Sequence, residues 1–235
     1  MNKRYAGKKI LVAGGTGGLG RAISLAFLAE GAAVSVTYRH QTEFDALKSA
    51  AGVNAAQLEG KDVNVLDETA LKNFVADLIA QHGRLDALVN AVGGYSAGAP
   101  LWEMDAKALD QMLDLNLRSG YLLARAVVPM MLKQKSGAIV NVAATAAFNH
   151  MASSAEYVAS KAAAVAMIGS LAADLKGSGV RANSIMPSII DTEANRKAMP
   201  DADHAKWPKP EEIARVILFL CSEDAKLVHG AAIPV

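Results

Sequence analysis

The 235-residue chain has a single cysteine, few aromatic residues and almost no excess of charge of either sign. Because Cys221 is alone, an intrachain disulfide is excluded and a reducing compartment is indicated. The formal net charge is +1 and the basic residues form no stripe, so nucleic acid is not a predicted partner. The five histidines lack metal-ligand spacing with one another or with Cys221, and no metal site is predicted.

Long apolar runs are absent as well. The polar start, residues 1–9, leads into an apolar segment that is too short for a secretory signal or a membrane span, and glycines interrupt it. We therefore expect a soluble, cytoplasmic protein without a membrane partner. Apolar residues make up 52% of the chain, and neither a linker nor an internal repeat divides it, so one domain over residues 1–235 is expected.

Strand-like and helix-like segments alternate along the whole chain. The strands are predicted at 8–13, 33–38, 55–61, 86–91, 137–143, 180–185 and 230–235. The helices are predicted at 18–30, 41–51, 67–82, 105–134, 154–177 and 210–222, with a short one near 191–199. This alternation predicts an α/β fold, a doubly wound parallel sheet of about seven strands with helices on both faces.

A glycine-rich segment follows the first predicted strand, with the spacing Gly14-x-x-x-Gly18-x-Gly20. Glycines permit a tight turn and let a diphosphate approach backbone N–H groups at a helix N-terminus, where the helix dipole favours anions. The segment, which includes Thr16 and Leu19, is therefore predicted to bind a dinucleotide. A glycine-rich turn that binds no ligand is the alternative interpretation.

A second segment carries the side chains for acid–base chemistry. Tyr157 and Lys161 lie four residues apart in a stretch of good helix formers, so both project from one helix face. A phenol titrates near pH 10 in water, and a neighbouring cation favours the phenolate. The pair is therefore predicted to act as a general acid or base.

Together these residues resemble the markers of the short-chain dehydrogenase/reductase family in order and spacing, over nearly the whole chain. The further markers are Asp62 and Val63 after the third strand, Asn90, Ala91 and Val92 after the fourth, Asn116 in the next helix, and Pro187, Ile189 and Thr192 after the sixth strand. The resemblance implies an NAD(P)-dependent oxidoreductase that acts on a small carbonyl, alcohol or imine-type substrate.

The resemblance also implies a role for each marker. Tyr157 is the proton donor in reduction and the acceptor in oxidation, Lys161 lowers its pKa and binds ribose hydroxyls, and Asn116 holds a proton-relay water through a local backbone distortion. Asp62 and Val63 would flank the adenine, residues 90–92 would flank the cofactor, and the segment from Pro187 through Ile189 to Thr192 would contact the nicotinamide carboxamide.

One position departs from the family pattern. Thirteen residues before the tyrosine, where the family has a catalytic serine, this chain has Ala144. A methyl group donates no hydrogen bond to a substrate oxygen, so one polarising contact is missing. Thr145 replaces it only if the strand has ended and the loop turns. A catalytically idle NAD(P)-binding sensor is the corresponding alternative.

Within the family, the quinoid dihydropteridine reductase branch also has alanine at the serine position. Residues 191–207 and the aromatic Tyr95 resemble that branch, which implies a quinonoid pterin as an alternative substrate. Tyr95 or Trp207 would then stack on the flat pterin ring.

The choice of cofactor is predicted at the end of the second strand. Residues 37–40 contain no acidic side chain for an adenosine ribose 2′-hydroxyl, whereas Arg39 offers a guanidinium for a 2′-phosphate. NADP is therefore favoured over NAD, although a solvated surface arginine remains the alternative. The predicted helix at 154–177 is rich in alanine and apolar on more than one side, which suits burial against another subunit. We therefore expect a homodimer or homotetramer through the helices at 105–134 and 154–177.

Overall fold

A computed structural model describes residues 3–235. Seven parallel strands form one sheet: β1 (Lys9–Ala13), β2 (Ala33–Tyr38), β3 (Leu58–Asp62), β4 (Ala87–Asn90), β5 (Gly137–Val142), β6 (Val180–Met186) and β7 (Ala232–Pro234). Their order is β3-β2-β1-β4-β5-β6-β7. The predicted doubly wound α/β fold is confirmed. The direction of winding changes between β1 and β4, and ligands bind at the carboxyl ends of the strands at such a switch point.

Eight α-helices connect the strands within the described residues. They are α1 (Gly18–Ala29), α2 (Gln41–Ala51), α3 (Glu68–His82), α4 (Ala106–Leu113), α5 (Ser119–Gln134), α6 (Ala155–Asp174), α7 (Glu193–Ala198) and α8 (Pro210–Cys221). No helix among residues 3–235 combines the length and the apolar character needed to cross a membrane.

The sheet separates two apolar cores, and β1 shows how its sequence serves both. Ile10 and Val12 belong to the core that contains residues of α1, α2 and α8. Leu11 and Ala13 point the other way, into the core that contains residues of α3, α5 and α6. Because strand side chains alternate between faces, a continuous apolar run is what a strand covered on both sides requires.

The structure differs from the sequence prediction in two elements. Residues 55–57, predicted as strand, belong to a 3₁₀-helix at Gly52–Gln57, so β3 begins only at Leu58. The helix predicted at 105–134 is two helices, α4 and α5, which a π-helical segment at Asp114–Arg118 separates. Such π-helical insertions widen a helix locally and frequently occur at functional sites.

Candidate active site

The glycine segment forms a tight turn between β1 and α1. Gly14 has a φ of 70°, a left-handed value that favours glycine. A Cβ at Gly20 would lie 2.0 Å from the Gly14 carbonyl oxygen, so only glycine lets the first turn of α1 approach the loop this closely. A Cβ at Gly18 would lie 3.0 Å from the Thr192 methyl group. The fold therefore brings Thr192, distant in sequence, against the N-terminus of α1.

One polar contact of this loop was not predicted from the sequence. The Thr16 hydroxyl donates a hydrogen bond of 2.9 Å to the carboxylate of Glu43, which lies in the first turn of α2. Leu19, next to the loop glycines, is buried in the core beneath them. Residues 37–40 alone do not reveal this contact, because Glu43 lies in the first turn of the helix that follows them.

The ends of β2 and β3 place three predicted cofactor residues next to one another. Asp62 pairs in register with Tyr38, and Arg39 follows directly, exposed at the carboxyl end of β2. Asp62 is exposed, whereas Val63 is buried. None of the ion pairs among residues 3–235 involves Arg39.

The segment after β4 is fixed by the buried side chain of Asn90. Its amide nitrogen donates to Asn141 at 2.8 Å, and its carbonyl oxygen accepts from the Val92 backbone N–H at 3.1 Å. The Ala91 backbone N–H donates to the Ala13 carbonyl at 3.0 Å. Residues 90–92 are therefore held beside the glycine loop at the switch point of the sheet.

Asn116, in the π-helical segment, connects that loop to α6. Its amide nitrogen donates to the Ser160 hydroxyl at 2.9 Å and to the Gly94 carbonyl at 3.1 Å, while its carbonyl oxygen accepts from the Gly94 backbone N–H at 3.0 Å. The Ser160 hydroxyl in turn donates to the Tyr157 carbonyl at 2.8 Å. The side chain is buried and ties the loop to the helix that carries Tyr157.

The structure places Tyr157 and Lys161 on α6, with the ammonium 6.0 Å from the phenol ring centroid. The ring of Tyr95 meets that of Tyr157 edge-on, with centroids 4.9 Å apart and planes at 81°. Burial, with a contribution from Tyr95, raises the pKa of Tyr157 to about 12. This direction is opposite to the sequence prediction that Lys161 lowers the pKa. The phenol is therefore protonated at neutral pH, and its burial makes it a weaker acid than a phenol in water.

Comparison with known proteins identifies the family. Residues 8–203 match the model of the short chain dehydrogenase family. The chain belongs to the short-chain dehydrogenase/reductase family. Its relatives include 3-oxoacyl-(acyl-carrier-protein) reductase FabG of Thermotoga maritima, 32% identical over 98% of this chain and 96% of that protein. D-threitol dehydrogenase of Mycolicibacterium smegmatis is 33% identical over 97% of this chain and 91% of that protein.

A solved structure agrees with these relatives. The crystal structure of levodione reductase has a TM-score of 0.91 and 27% identity, covering 99% of this chain and 97% of that one. The predicted family resemblance is thus confirmed, and with it the reaction class, oxidoreduction of a small substrate with a nicotinamide cofactor. The family membership does not fix the substrate.

The family implies a bound dinucleotide, and Lys161 provides the test of whether these residues fit one. An ammonium group has three N–H donors, yet among residues 3–235 Lys161 donates only to the Val142 carbonyl, at 3.2 Å. The residue is 5% exposed, and this burial lowers its pKa to about 8. A buried ammonium with donors to spare fits the two hydroxyls of a ribose, because charged groups are buried at low cost only when they are paired.

Ala144, at the position where the family has a serine, lies in the segment that follows β5. Ala144 is buried in extended backbone, and β5 has already ended at Val142. A short 3₁₀-helix begins at Thr145, whose backbone N–H donates to the Pro187 carbonyl at 3.0 Å. The condition under which Thr145 was expected to replace the serine, an ended strand with a turning loop, is therefore met.

The remaining predicted substrate and cofactor residues lie in the segment after β6. Ile189 is 45% exposed, near Pro187. The Thr192 hydroxyl accepts a hydrogen bond from the Asn195 backbone N–H and caps α7. Trp207 packs against His204, with ring centroids 4.5 Å apart, so its nearest aromatic partner lies within its own segment rather than at Tyr157.

Proposed function

We propose that the protein uses NADPH to reduce the carbonyl group of a small substrate and catalyses the reverse oxidation of the alcohol. The observation that carries the proposal is the pair on α6, in which the half-buried Tyr157 presents a phenol beside Tyr95 and the buried Lys161 retains donors for ribose hydroxyls. Neighbouring titratable side chains with perturbed pKa values cluster at catalytic sites, so we prefer the enzyme to the sensor.

The proposed roles follow from these contacts. The residues of the glycine loop and Lys161 would hold NADPH, which when bound would supply the hydride for the carbonyl carbon. The Tyr157 hydroxyl gives its proton to the carbonyl oxygen, so that ketone, hydride and proton together make the alcohol. Lys161 binds the cofactor ribose, and Asn116 keeps the loop after β4 docked on α6. The protein thus contributes positioning and a proton, while the cofactor contributes the redox chemistry.

The proposal requires turnover by the full chain. Purified protein is mixed with NADPH and a panel of ketones, aldehydes and a quinonoid dihydropterin, and NADPH absorbance is followed. We expect consumption of NADPH that depends on a carbonyl compound. Turnover of the pterin alone would support the dihydropteridine reductase alternative, which no contact in the structure tests. If NADPH binds but nothing in the panel is reduced, the enzyme proposal fails and the sensor replaces it.

The preference for NADP over NAD is proposed to depend on two side chains of opposite charge. Arg39 is exposed and free of ion pairs among residues 3–235, as a 2′-phosphate would require, whereas Glu43 near Thr16 repels that phosphate. Hydrogen bonds to charged groups contribute about 1.5–3 kcal/mol. We expect Arg39→Ala to raise KM for NADPH roughly 10- to 100-fold with little change for NADH.

The matched variant for this prediction is Glu43→Gln, which keeps the hydrogen bond to Thr16 and removes the charge. We expect it to lower KM for NADPH, because the repulsion between the carboxylate and a phosphate is removed. Steady-state kinetics with both cofactors measure the two effects. An unchanged ratio of the two KM values in Arg39→Ala would exclude Arg39 as the selecting residue.

We also propose that the chain forms a homodimer or homotetramer through α4, α5 and α6. Support comes from apolar residues that these helices leave exposed, such as Leu109 on α4 and Leu132 on α5, and from the small exposed residues Ala159 and Ala166 on α6. Apolar faces of this kind are typical of surfaces between subunits. The single cysteine remains the basis for proposing a cytoplasmic location.

A further inference from the structure

The parts of two loops that lie on either side of Tyr157 contain no charged residue, and Glu103, directly after the first part, accepts a hydrogen bond from the Trp102 indole at 3.2 Å. Residues 91–102, after β4, and residues 143–155, after β5, lack Lys, Arg, Asp and Glu, although charged residues make up 20% of the chain. The two loops are joined, because the Gly98 backbone N–H donates to the Ser153 carbonyl at 3.0 Å. We call these two loops the uncharged rim. His150 is its only titratable group other than tyrosine, and it is exposed.

The uncharged rim also exposes large apolar side chains. Its members with large exposed fractions are Tyr95 at 62%, Leu101 at 69%, Trp102 at 81%, Phe148 at 61% and Met151 at 45%. Exposed apolar residues that cluster in this way mark binding sites for ligands or partners. Because Tyr95 also touches Tyr157, the apolar surface is continuous with the candidate catalytic residue.

The third segment around the site, residues 187–209, does contain charge, but six of its eight charged residues pair with one another. The ion pairs are Asp191 with Arg196, Glu193 with Lys197, and Asp203 with Lys206. The two others, Asp201 and Lys209, have opposite signs. The segment therefore offers no cluster of cations for an anionic substrate.

Tyr95 is held firmly at this place. The preceding residue, Gly94, makes hydrogen bonds of 3.0 and 3.1 Å with the Asn116 side chain, which is also bonded to Ser160 on α6. A Cβ at Gly93 would lie 3.1 Å from the Lys161 ammonium, so the backbone here passes directly over the α6 residues. The backbone just before Tyr95 is thus tethered to the helix that carries Tyr157, and the Tyr95 ring contacts the Tyr157 ring.

The position of Tyr95 matters because Ala144 supplies no hydrogen bond. A carbonyl oxygen that accepts a proton from Tyr157 benefits from a second donor, which lowers the energy of the charge that develops on the oxygen. Tyr95 presents a phenol beside Tyr157, and the rim residues near it in sequence are uncharged. A bound substrate that excludes water from this largely exposed side chain would make its hydrogen bond stronger than one in water.

We infer that the site takes neutral, apolar carbonyl compounds and that Tyr95 donates the second hydrogen bond to their oxygen. This inference rests on the proposed carbonyl reduction. An anionic substrate would leave its charge without a partner against the uncharged rim, which disfavours it. The apolar rim residues contact the carbon skeleton, and the two phenols hold the oxygen.

The first test compares substrates that differ only in charge. Wild-type protein with saturating NADPH is given methyl 4-acetylbenzoate and 4-acetylbenzoate, with further neutral ketones and their carboxylate analogues, at one fixed pH. We expect kcat/KM to favour the neutral member of each pair at least about 100-fold, because an ionised group without a partner is strongly disfavoured in an apolar site. Equal turnover of the members, or preference for the carboxylates, overturns the inference while leaving the proposed carbonyl reduction intact.

The second test removes one oxygen atom. Tyr95→Phe keeps the ring that packs against Tyr157, and we expect kcat to fall about 10²- to 10³-fold, as when one oxyanion donor is lost. NADPH affinity should not change. Adding Ala144→Ser to Tyr95→Phe should restore part of kcat, since it supplies a donor at the family's usual position.

A pH profile separates hydrogen bonding from packing. Because Tyr95 raises the pKa of Tyr157, alcohol oxidation by Tyr95→Phe should reach its alkaline rise at lower pH than in the wild type. If kcat and the profile of Tyr95→Phe match the wild type, Tyr95 is not the donor. If the wild type binds NADPH and reduces no carbonyl compound at all, the proposed function itself fails.

Discussion

Replacing Tyr157 by phenylalanine is expected to lower kcat about 10²- to 10⁴-fold, the range that a positioned general acid contributes. The variant keeps the ring that packs against Tyr95 and loses only the hydroxyl, so NADPH affinity and thermal stability should stay close to those of the wild type. Steady-state kinetics in the direction of reduction, together with NADPH binding by fluorescence, measure both quantities.

The pH dependence of alcohol oxidation is expected to show whether Tyr157 is the group that accepts the proton. Oxidation requires the phenolate, and because the pKa of Tyr157 is raised to about 12, the fraction of phenolate grows as pH rises through the alkaline range. Wild-type oxidation should therefore increase with pH, while the residual activity of Tyr157→Phe should not show that titration. Reduction uses the protonated phenol, and it should persist across neutral and mildly alkaline pH.

Tyr121→Phe is the matched control for this experiment. It removes the same atom from a half-exposed tyrosine on α5, outside the candidate site, and should leave kcat unchanged. A Tyr157→Phe enzyme with wild-type kcat would show that another group delivers the proton. A variant that no longer binds NADPH would instead show that the hydroxyl holds the cofactor.

The sequence predicted the fold because its main determinants are local. The continuous apolar run of β1, the glycines after it and the helical period of α1 follow one another, and each segment favours its own structure without help from distant residues. The same is true of the spacing between Tyr157 and Lys161, which one turn of helix accounts for. Boundaries were predicted less well, as at Gly52–Gln57, where the short mixed segment has no period that distinguishes strand from 3₁₀-helix.

The contacts that shape the site were not predictable in this way, because they join residues far apart in the chain. The bonds from Asn116 to Gly94 and Ser160 depend on how a π-helical segment, a loop and α6 meet. The direction of the Tyr157 pKa shift was predicted wrongly for the same reason. Proximity to a cation is visible in sequence spacing, whereas burial by other elements is not, and here burial dominates.

Gly20→Ala is expected to destabilise the protein by about 1–3 kcal/mol, a typical cost of overpacking, and to abolish NADPH binding. Alanine is intrinsically favoured over glycine inside a helix by up to about 1 kcal/mol, so propensity alone predicts a gain. The clash outweighs it, because the new Cβ would lie 2.0 Å from the Gly14 carbonyl oxygen, and backbone atoms of a tight turn cannot rotate away. Chemical denaturation and NADPH titration measure the two effects.

Gly17→Ala is the matched control for stability, since it adds the same methyl group to the same loop. Its Cβ would lie 3.6 Å from the Gly14 carbonyl oxygen, an ordinary contact, and the φ of Gly17 is −69°. The expected loss of stability is roughly 0.5–1 kcal/mol, the difference between the costs of Ala and of Gly at a helix N-cap. Equal stability of the two variants would mean that α1 shifts freely relative to Gly14. The N–H donors for the diphosphate come from this turn. Equal stability would therefore show that the diphosphate site does not need α1 to lie close to Gly14.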